Sequence, residues 1–192
     1  MKKKVGIIIV AILCVAAICV GFYFLKKEGV PTANEQLTKV EKITTQDLEK
    51  DYPETPREVV KLYNKIIFAY HQEEYNEKEL EKMCQVAYGL MDTELQDNNP
   101  FADYVTSVEI DVANYETRKR EILQTNVCDS NDILYKTDSA TGEDLAYVSA
   151  SYFVKEGKDY TNTHQMYVLV KDEEGKWKIK VYYQIEAPEK DE

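Results

Sequence analysis

The chain has 192 residues, with 24 Lys and Arg against 35 Asp and Glu, and a formal net charge of −11. That charge is split: residues 1–27 hold five lysines and no acid, for +5, while residues 28–192 set the other 19 bases against all 35 acids, for −16. So acidic a remainder lacks the basic footprint of a nucleic-acid binder, and seven Gly with five Pro are too few for a fibrous or low-complexity chain.

Residues 1–4 carry Lys2, Lys3 and Lys4 as a short tail, and residues 5–25 (VGIIIVAILCVAAICVGFYFL) follow without a charge. At about 1.5 Å per residue this stretch crosses a hydrocarbon core of about 30 Å, so the sequence predicts a transmembrane helix. A cleaved secretory signal has an apolar region of only about 7 to 15 residues and a small-residue exit. Here the exit is Phe22-Tyr23-Phe24-Leu25, which suits a membrane interface. Cys14 and Cys19 follow Leu13 and Ile18, not the small residue that precedes a lipidated cysteine, and read as apolar membrane packing. The lysine excess ahead of the span makes it a signal-anchor with a cytoplasmic N-terminus, which places the C-terminal domain outside the cytosol at the cell membrane.

Residues 26–54 mix Pro, Thr, Asn and charges without a sustained apolar period and read as a stalk. That leaves residues 55–187 as one domain and residues 188–192 as an acidic tail. Thr55-Pro56-Arg57-Glu58 is a capping box with Pro at the first helical position. Val59, Tyr63, Ile66, Ile67 and Tyr70 then recur at helical steps, and the helix should end near Glu74. Asn76 and Glu79 form a second box, and Leu80, Met83, Cys84, Ala87, Met91 and Leu95 carry one helix to the stop at Asn98-Asn99-Pro100. Pro100 opens a third, whose apolar positions Phe101, Tyr104, Val105, Val108, Val112, Tyr115 and Ile122 repeat helically.

After about Arg120 the period becomes two. Strands are predicted at residues 122–128, 133–135, 145–155, 161–171 and 176–185, joined by hairpin-like turns at Gly142, Gly157 and Gly175. In the last strand Trp177, Ile179, Val181, Tyr183 and Ile185 share the face assigned to the core, and Lys176, Lys178, Lys180 and Gln184 the wet one. The fold class is α+β: a transmembrane helix, then about three helices packed on one face of a curved antiparallel sheet.

Three helices followed by a meander, opening on Thr55-Pro56-x-x-Val59-Val60 and closing on YVLVKDEEGKWKI at residues 167–179, resemble the nuclear-transport-factor-2-like (SnoaL-like) superfamily. Within that span YGLMDTEL at residues 88–95, Asn99-Pro100 and the closing hairpin look like a family of membrane-anchored proteins from Gram-positive bacteria to which no activity is assigned. The resemblance implies a cystatin/SnoaL-like cone with a cavity at one end. It also implies a range of uses, from hydrolysis and isomerisation to ligand capture and dimerisation through the sheet, so fold leaves function open.

Tyrosine is the most distinctive chemical resource. Tyr63, Tyr70, Tyr88, Tyr167 and Tyr183, with Tyr147, Tyr152 and Tyr182, fall on predicted helices or strands, and apolar bodies with polar tips are suited to lining a cavity for a ring-shaped or sugar-like ligand. His71, at the polar end of the first helix, reads as a helix-end cation. His164 with a carboxylate such as Asp111 is the acid/base alternative. Cys84 and Cys128 read as small buried residues, with a disulfide left open because sequence cannot supply their separation. No cofactor is expected and no metal spacing is present; the acidic runs read as solvated surface. These features favour a non-catalytic cone domain that binds a protein partner, a second copy through its sheet, or a small ligand. The alternatives are a SnoaL-like enzyme and a scaffold subunit of a cell-envelope or secretion assembly.

Overall fold

The computed structural model describes residues 37–187. The expected tail, membrane span and the first part of the stalk lie outside these residues, as does the acidic tail. Among the described residues no helix is long and apolar enough to cross a membrane.

The described chain is mixed α+β. Its helices are α1 (Lys39–Thr44), α2 (Pro56–Gln72), α3 (Glu77–Gly89), α4 (Thr93–Asn98) and α5 (Phe101–Arg118). The strands are β1 (Arg120–Val127), β2 (Leu134–Thr137), β3 (Asp144–Glu156), β4 (Asp159–Lys171) and β5 (Trp177–Ile185), all paired antiparallel. The order is β1-β3-β4-β5; β1 and β2 share one edge of β3, taking residues 150–156 and 144–147 respectively.

The helix starts follow from local chemistry. Thr55 and Asn76 each accept from the backbone N–H three residues on, and Glu58 and Glu79 reach back to the cap N–H, so two otherwise orphaned donors are satisfied at each start. The apolar stripe of α2, with Val59, Val60, Tyr63, Ile66, Ala69 and Tyr70, is buried against that of α3, with Leu80, Met83, Cys84 and Ala87, and against the inner face of the sheet. Cys84 is fully buried, Cys128 half-buried, and both thiols are free. Burial pushes the Cys84 thiol upward.

Four expectations require correction. First, residues 38–54 are not stalk: Thr38 caps α1 with its own box, Val40 and Ile43 are buried in the main core, and Tyr52 donates to the Trp177 carbonyl at 2.7 Å. Second, the helix expected from Asn76 to Leu95 breaks at Leu90–Asp92, where Ile179 N–H donates to the Leu90 carbonyl (2.8 Å) and Asp92 N–H donates to the Ile179 carbonyl (2.9 Å). Lys178 Nζ closes the end of α3 by donating to the Gly89 carbonyl at 2.8 Å, and Asp92 caps α4. Third, α5 ends at Arg118 because Lys119 turns left-handed (φ 52°), which puts Ile122 in β1.

The fourth correction concerns β5. Val168 pairs with Val181 but Leu169 pairs with Ile179, so Lys180 is an extra residue, a bulge that reverses the alternation beyond it. Trp177 and Ile179 face the helices as expected. Past the bulge Tyr182 and Gln184 face inward beside Tyr167 and Gln165, while Tyr183 faces out and is 46% exposed. A second bulge, at Leu123 in β1, acts in the same way. The outer face carries a small apolar cluster of Leu145, Val168 and Val170, edged by Tyr147 and Met166.

Candidate functional site

A cavity of about 470 Å3 lies between α2, α5 and the inner face of the sheet. Helical spacing supplies two walls. Tyr63, Ile67, Tyr70 and His71 lie on one face of α2, and Tyr104, Ser107, Val108, Asp111 and Tyr115 on one face of α5. The sheet supplies the third through inward positions two apart: Arg120 and Ile122, Tyr152 and Val154, Thr163 and Gln165, Tyr182 and Gln184.

The floor is a buried polar network. Asn64 on α2, 2% exposed, accepts from Tyr152, and the Tyr152 and Tyr167 hydroxyls are in hydrogen-bond contact. Tyr167 also lies 3.2 Å from Asn64 Oδ1 and donates to Gln165 Oε1 at 2.9 Å. Around it the rings of Tyr63, Tyr167 and Tyr182 meet edge-on or tilted at centroid distances of 5.7 to 6.0 Å. Burial pushes the phenols of Tyr63, Tyr70, Tyr104, Tyr152 and Tyr167 upward, so all five are neutral hydroxyls over the physiological range.

At one end His71 is held in place. Its ring stacks on Tyr115 at 3.8 Å, and its Nε2 is 3.3 Å from Asp111 Oδ2. Arg120 lies over the other part of this wall, 4.8 Å from the Tyr115 ring and 3.6 Å from Glu156. Tyr70 hydroxyl, His71 Nδ1 and Arg120 Nε are buried without a hydrogen-bond partner. Three of this kind at one end of a cavity, two from α2 and one from β1, is a concentration that protein interiors ordinarily avoid.

Of the tyrosines expected to line a cavity, Tyr63 and Tyr70 do so, and Tyr167 lies beneath the lining with its hydroxyl tied to two lining residues. Tyr88 is elsewhere: it packs on Phe101 and Tyr104 and donates to the Gln96 carbonyl, joining α3, α4 and α5. Tyr183 is on the outer face. His164 shares that outer face, paired with Ser151, and does not meet Asp111. Asp111 meets His71 instead, so the helix-end histidine belongs to the cavity.

Sequence reasoning missed Asn64, Tyr104, Tyr115 and Arg120. Tyr104 and Tyr115 were visible as helical positions but not as cavity ones, and Asn64 left no signal beyond being a polar residue inside an apolar stripe. Among the described residues no group of three His, Cys, Asp or Glu is arranged to hold a metal ion.

Fold and site together define a mixed α+β domain, five helices on a five-stranded antiparallel sheet, around a tyrosine-rich cavity. The chain belongs to the family described as Domain of unknown function (DUF6715), whose model matches residues 1–182. A comparison with curated proteins finds no match.

Proposed function

We propose that this is a single-pass membrane protein, anchored through residues 5–25 with its N-terminus in the cytoplasm, whose extracytoplasmic domain captures a small ligand without transforming it. The order of helices and strands supports a nuclear-transport-factor-2-like (SnoaL-like) cone. The observation that carries ligand capture is the set of buried, unpartnered polar atoms on the cavity wall, the Tyr70 hydroxyl, His71 Nδ1 and Arg120 Nε. A ligand that hydrogen-bonds to them recovers the cost of burying them bare. The test is to purify the full-length protein from its host membrane in a mild detergent and identify by mass spectrometry what denaturation releases. A stoichiometric small molecule, absent when the cavity is filled by Ser107→Trp, is the expected result; an empty protein that takes up nothing from a host extract would refute it.

Acid–base catalysis of the SnoaL-like kind is the second proposal, favoured by the His71–Asp111 contact in the cavity and not by His164. Turnover of any bound compound that Asp111→Asn abolishes would favour it. Contact with a second copy or a protein partner through the sheet is supported by the exposed Leu134, Val181 and Tyr183, at 43 to 49% exposure.

A further inference from the structure

Four buried hydrogen-bond donors on and around the cavity have no acceptor: the Tyr70 hydroxyl, Arg120 Nε, Asn64 Nδ2 and Gln72 Nε2. Their neighbours explain why. Asn64 Oδ1 is taken by the Tyr152 hydroxyl and lies 3.2 Å from that of Tyr167, while nothing accepts from the amide nitrogen. Glu156 is shared by two arginines and committed to one. Arg118 reaches Oε1 through Nε at 2.9 Å and Nη2 at 2.8 Å, whereas Arg120 Nε stands 3.6 Å from Oε2, beyond hydrogen-bond range. Tyr70 is 4% exposed, and burial keeps its phenol protonated, so its O–H is a donor at neutral pH.

Two of these donors, on Tyr70 and Arg120, belong to residues that line both the cavity and a neighbouring groove of about 1060 Å3. Asp111 also lines the cavity. Its Oδ2 lies 3.3 Å from His71 Nε2, and its Oδ1 is in no hydrogen bond among the described residues. An ionised carboxylate only accepts. This end of the cavity therefore offers bare donors together with one free acceptor, beside a bank of aromatic rings.

We propose that the cavity takes an uncharged cyclic amide, its carbonyl oxygen toward Tyr70 and Arg120, its N–H toward Asp111 and its ring among the tyrosines. This rests on the cavity being a ligand site and names the class of ligand. A carbonyl oxygen has two lone pairs, one for each bare donor, and the amide N–H supplies the donor that Asp111 lacks. A flat ring suits the edge-on and tilted faces of Tyr63 and Tyr182. Charge selects against the ionic alternatives. An ammonium group brings only donors and would leave Tyr70 and Arg120 bare. A carboxylate would satisfy those two but meets Asp111 in the cavity, and Glu73, Glu74, Glu77, Glu109, Glu116 and Glu121 around the groove against Lys119 and Arg120.

The test is isothermal titration calorimetry of the full-length protein in neutral detergent, with titrations into detergent alone subtracted. Four bicyclic probes of similar size carry the comparison: 2-quinolinone, a cyclic amide; coumarin, which keeps the carbonyl and lacks the N–H; 2-naphthoate; and 2-naphthylmethylammonium. Tyr70→Phe removes one bare hydroxyl, and Asp111→Ala removes an exposed carboxylate. Circular dichroism checks that each variant keeps its fold. 2-Quinolinone should bind at one site, about tenfold or more tighter than the other three, because its N–H bonds a charged acceptor. Tyr70→Phe should weaken 2-quinolinone and coumarin alike, by about fivefold, and Asp111→Ala should weaken 2-quinolinone about tenfold while leaving coumarin unchanged. Coumarin binding as tightly as 2-quinolinone overturns the amide assignment and leaves the cavity a site for carbonyl acceptors. Tighter binding of either ion overturns it in favour of that charge, and 2-quinolinone binding indifferent to both variants overturns it by placing the probe elsewhere. Failure of all four probes also overturns it, and the released-ligand experiment above then decides whether the cavity binds anything.

Discussion

Titrating the protein from neutrality to about pH 12 perturbs one set of side chains above all, the tyrosines sealed around the cavity. Tyr63, Tyr70, Tyr152 and Tyr167 are at most 5% exposed. Burial holds each phenol above its ordinary value, Tyr152 in spite of hydrogen bonds with Tyr167 and Asn64 that pull the other way. A group whose folded pKa is raised contributes stability that is complete below its unfolded pKa and is lost as the pH climbs past it, because the unfolded chain sheds the proton and the folded chain cannot. An unfolded phenol titrates near 10, and above that each buried one costs about 1.4 kcal/mol per pH unit. Four together cost about 5.5 kcal/mol per unit, and by pH 11 the loss of roughly 6 kcal/mol reaches the lower end of the about 5 to 15 kcal/mol by which domains are stable. Tyrosinate absorbance followed beside far-UV circular dichroism should show a block of phenols ionising in the same step in which the fold is lost. Replacing Tyr63 and Tyr70 together by Phe should make that step shallower. Ionisation of every tyrosine with the native spectrum intact would refute the linkage.

Other substitutions test other parts of the structure. Asn64→Leu removes the acceptor of Tyr152 from the cavity floor and should destabilise the domain by about 1 to 3 kcal/mol in urea unfolding; an unchanged midpoint would mean the amide is dispensable. Ile43→Ala should cost about 2 to 5 kcal/mol, as expected of a core residue and not of a linker. Tyr182→Ala should lose about 1 to 2 kcal/mol of ring packing against Tyr63 and Tyr167, whereas Tyr183→Ala should stay within about 0.5 kcal/mol of wild type. Equal effects at the two positions would argue against the bulge at Lys180.

The parts of this fold that were legible in the sequence are those with local causes. Thr55 and Asn76 announce their helices because a capping box involves only four consecutive residues, and the five strands show because period two is written within each one. The break at Leu90–Asp92 was hidden because its cause, the backbone of Ile179, is some ninety residues away. α1 carries its own capping box at Thr38 and Glu41, but six residues give too few turns for a period to declare itself. For the site, α2 put Tyr63 and Tyr70 on the right face, but the choice between Tyr182 and Tyr183 depended on one inserted residue that regular alternation cannot reveal. The partner of His71 likewise comes from α5, and only tertiary packing brings Asp111 to it.

Helix α5 forms one wall of both recesses, yet none of its 18 residues is fully buried. The fully buried core is therefore housed in α2, α3 and the sheet, and α5 covers it through half-buried Phe101, Tyr104, Val105, Val108, Val112 and Tyr115. Substitutions at the exposed cavity-lining positions Ser107 and Asp111 of α5 should reshape the recess at less cost to the fold than changes at the buried positions of α2. Divergence among related chains should accordingly accumulate on the α5 side of the cavity, with the Asn64–Tyr152–Tyr167 floor held constant beneath it.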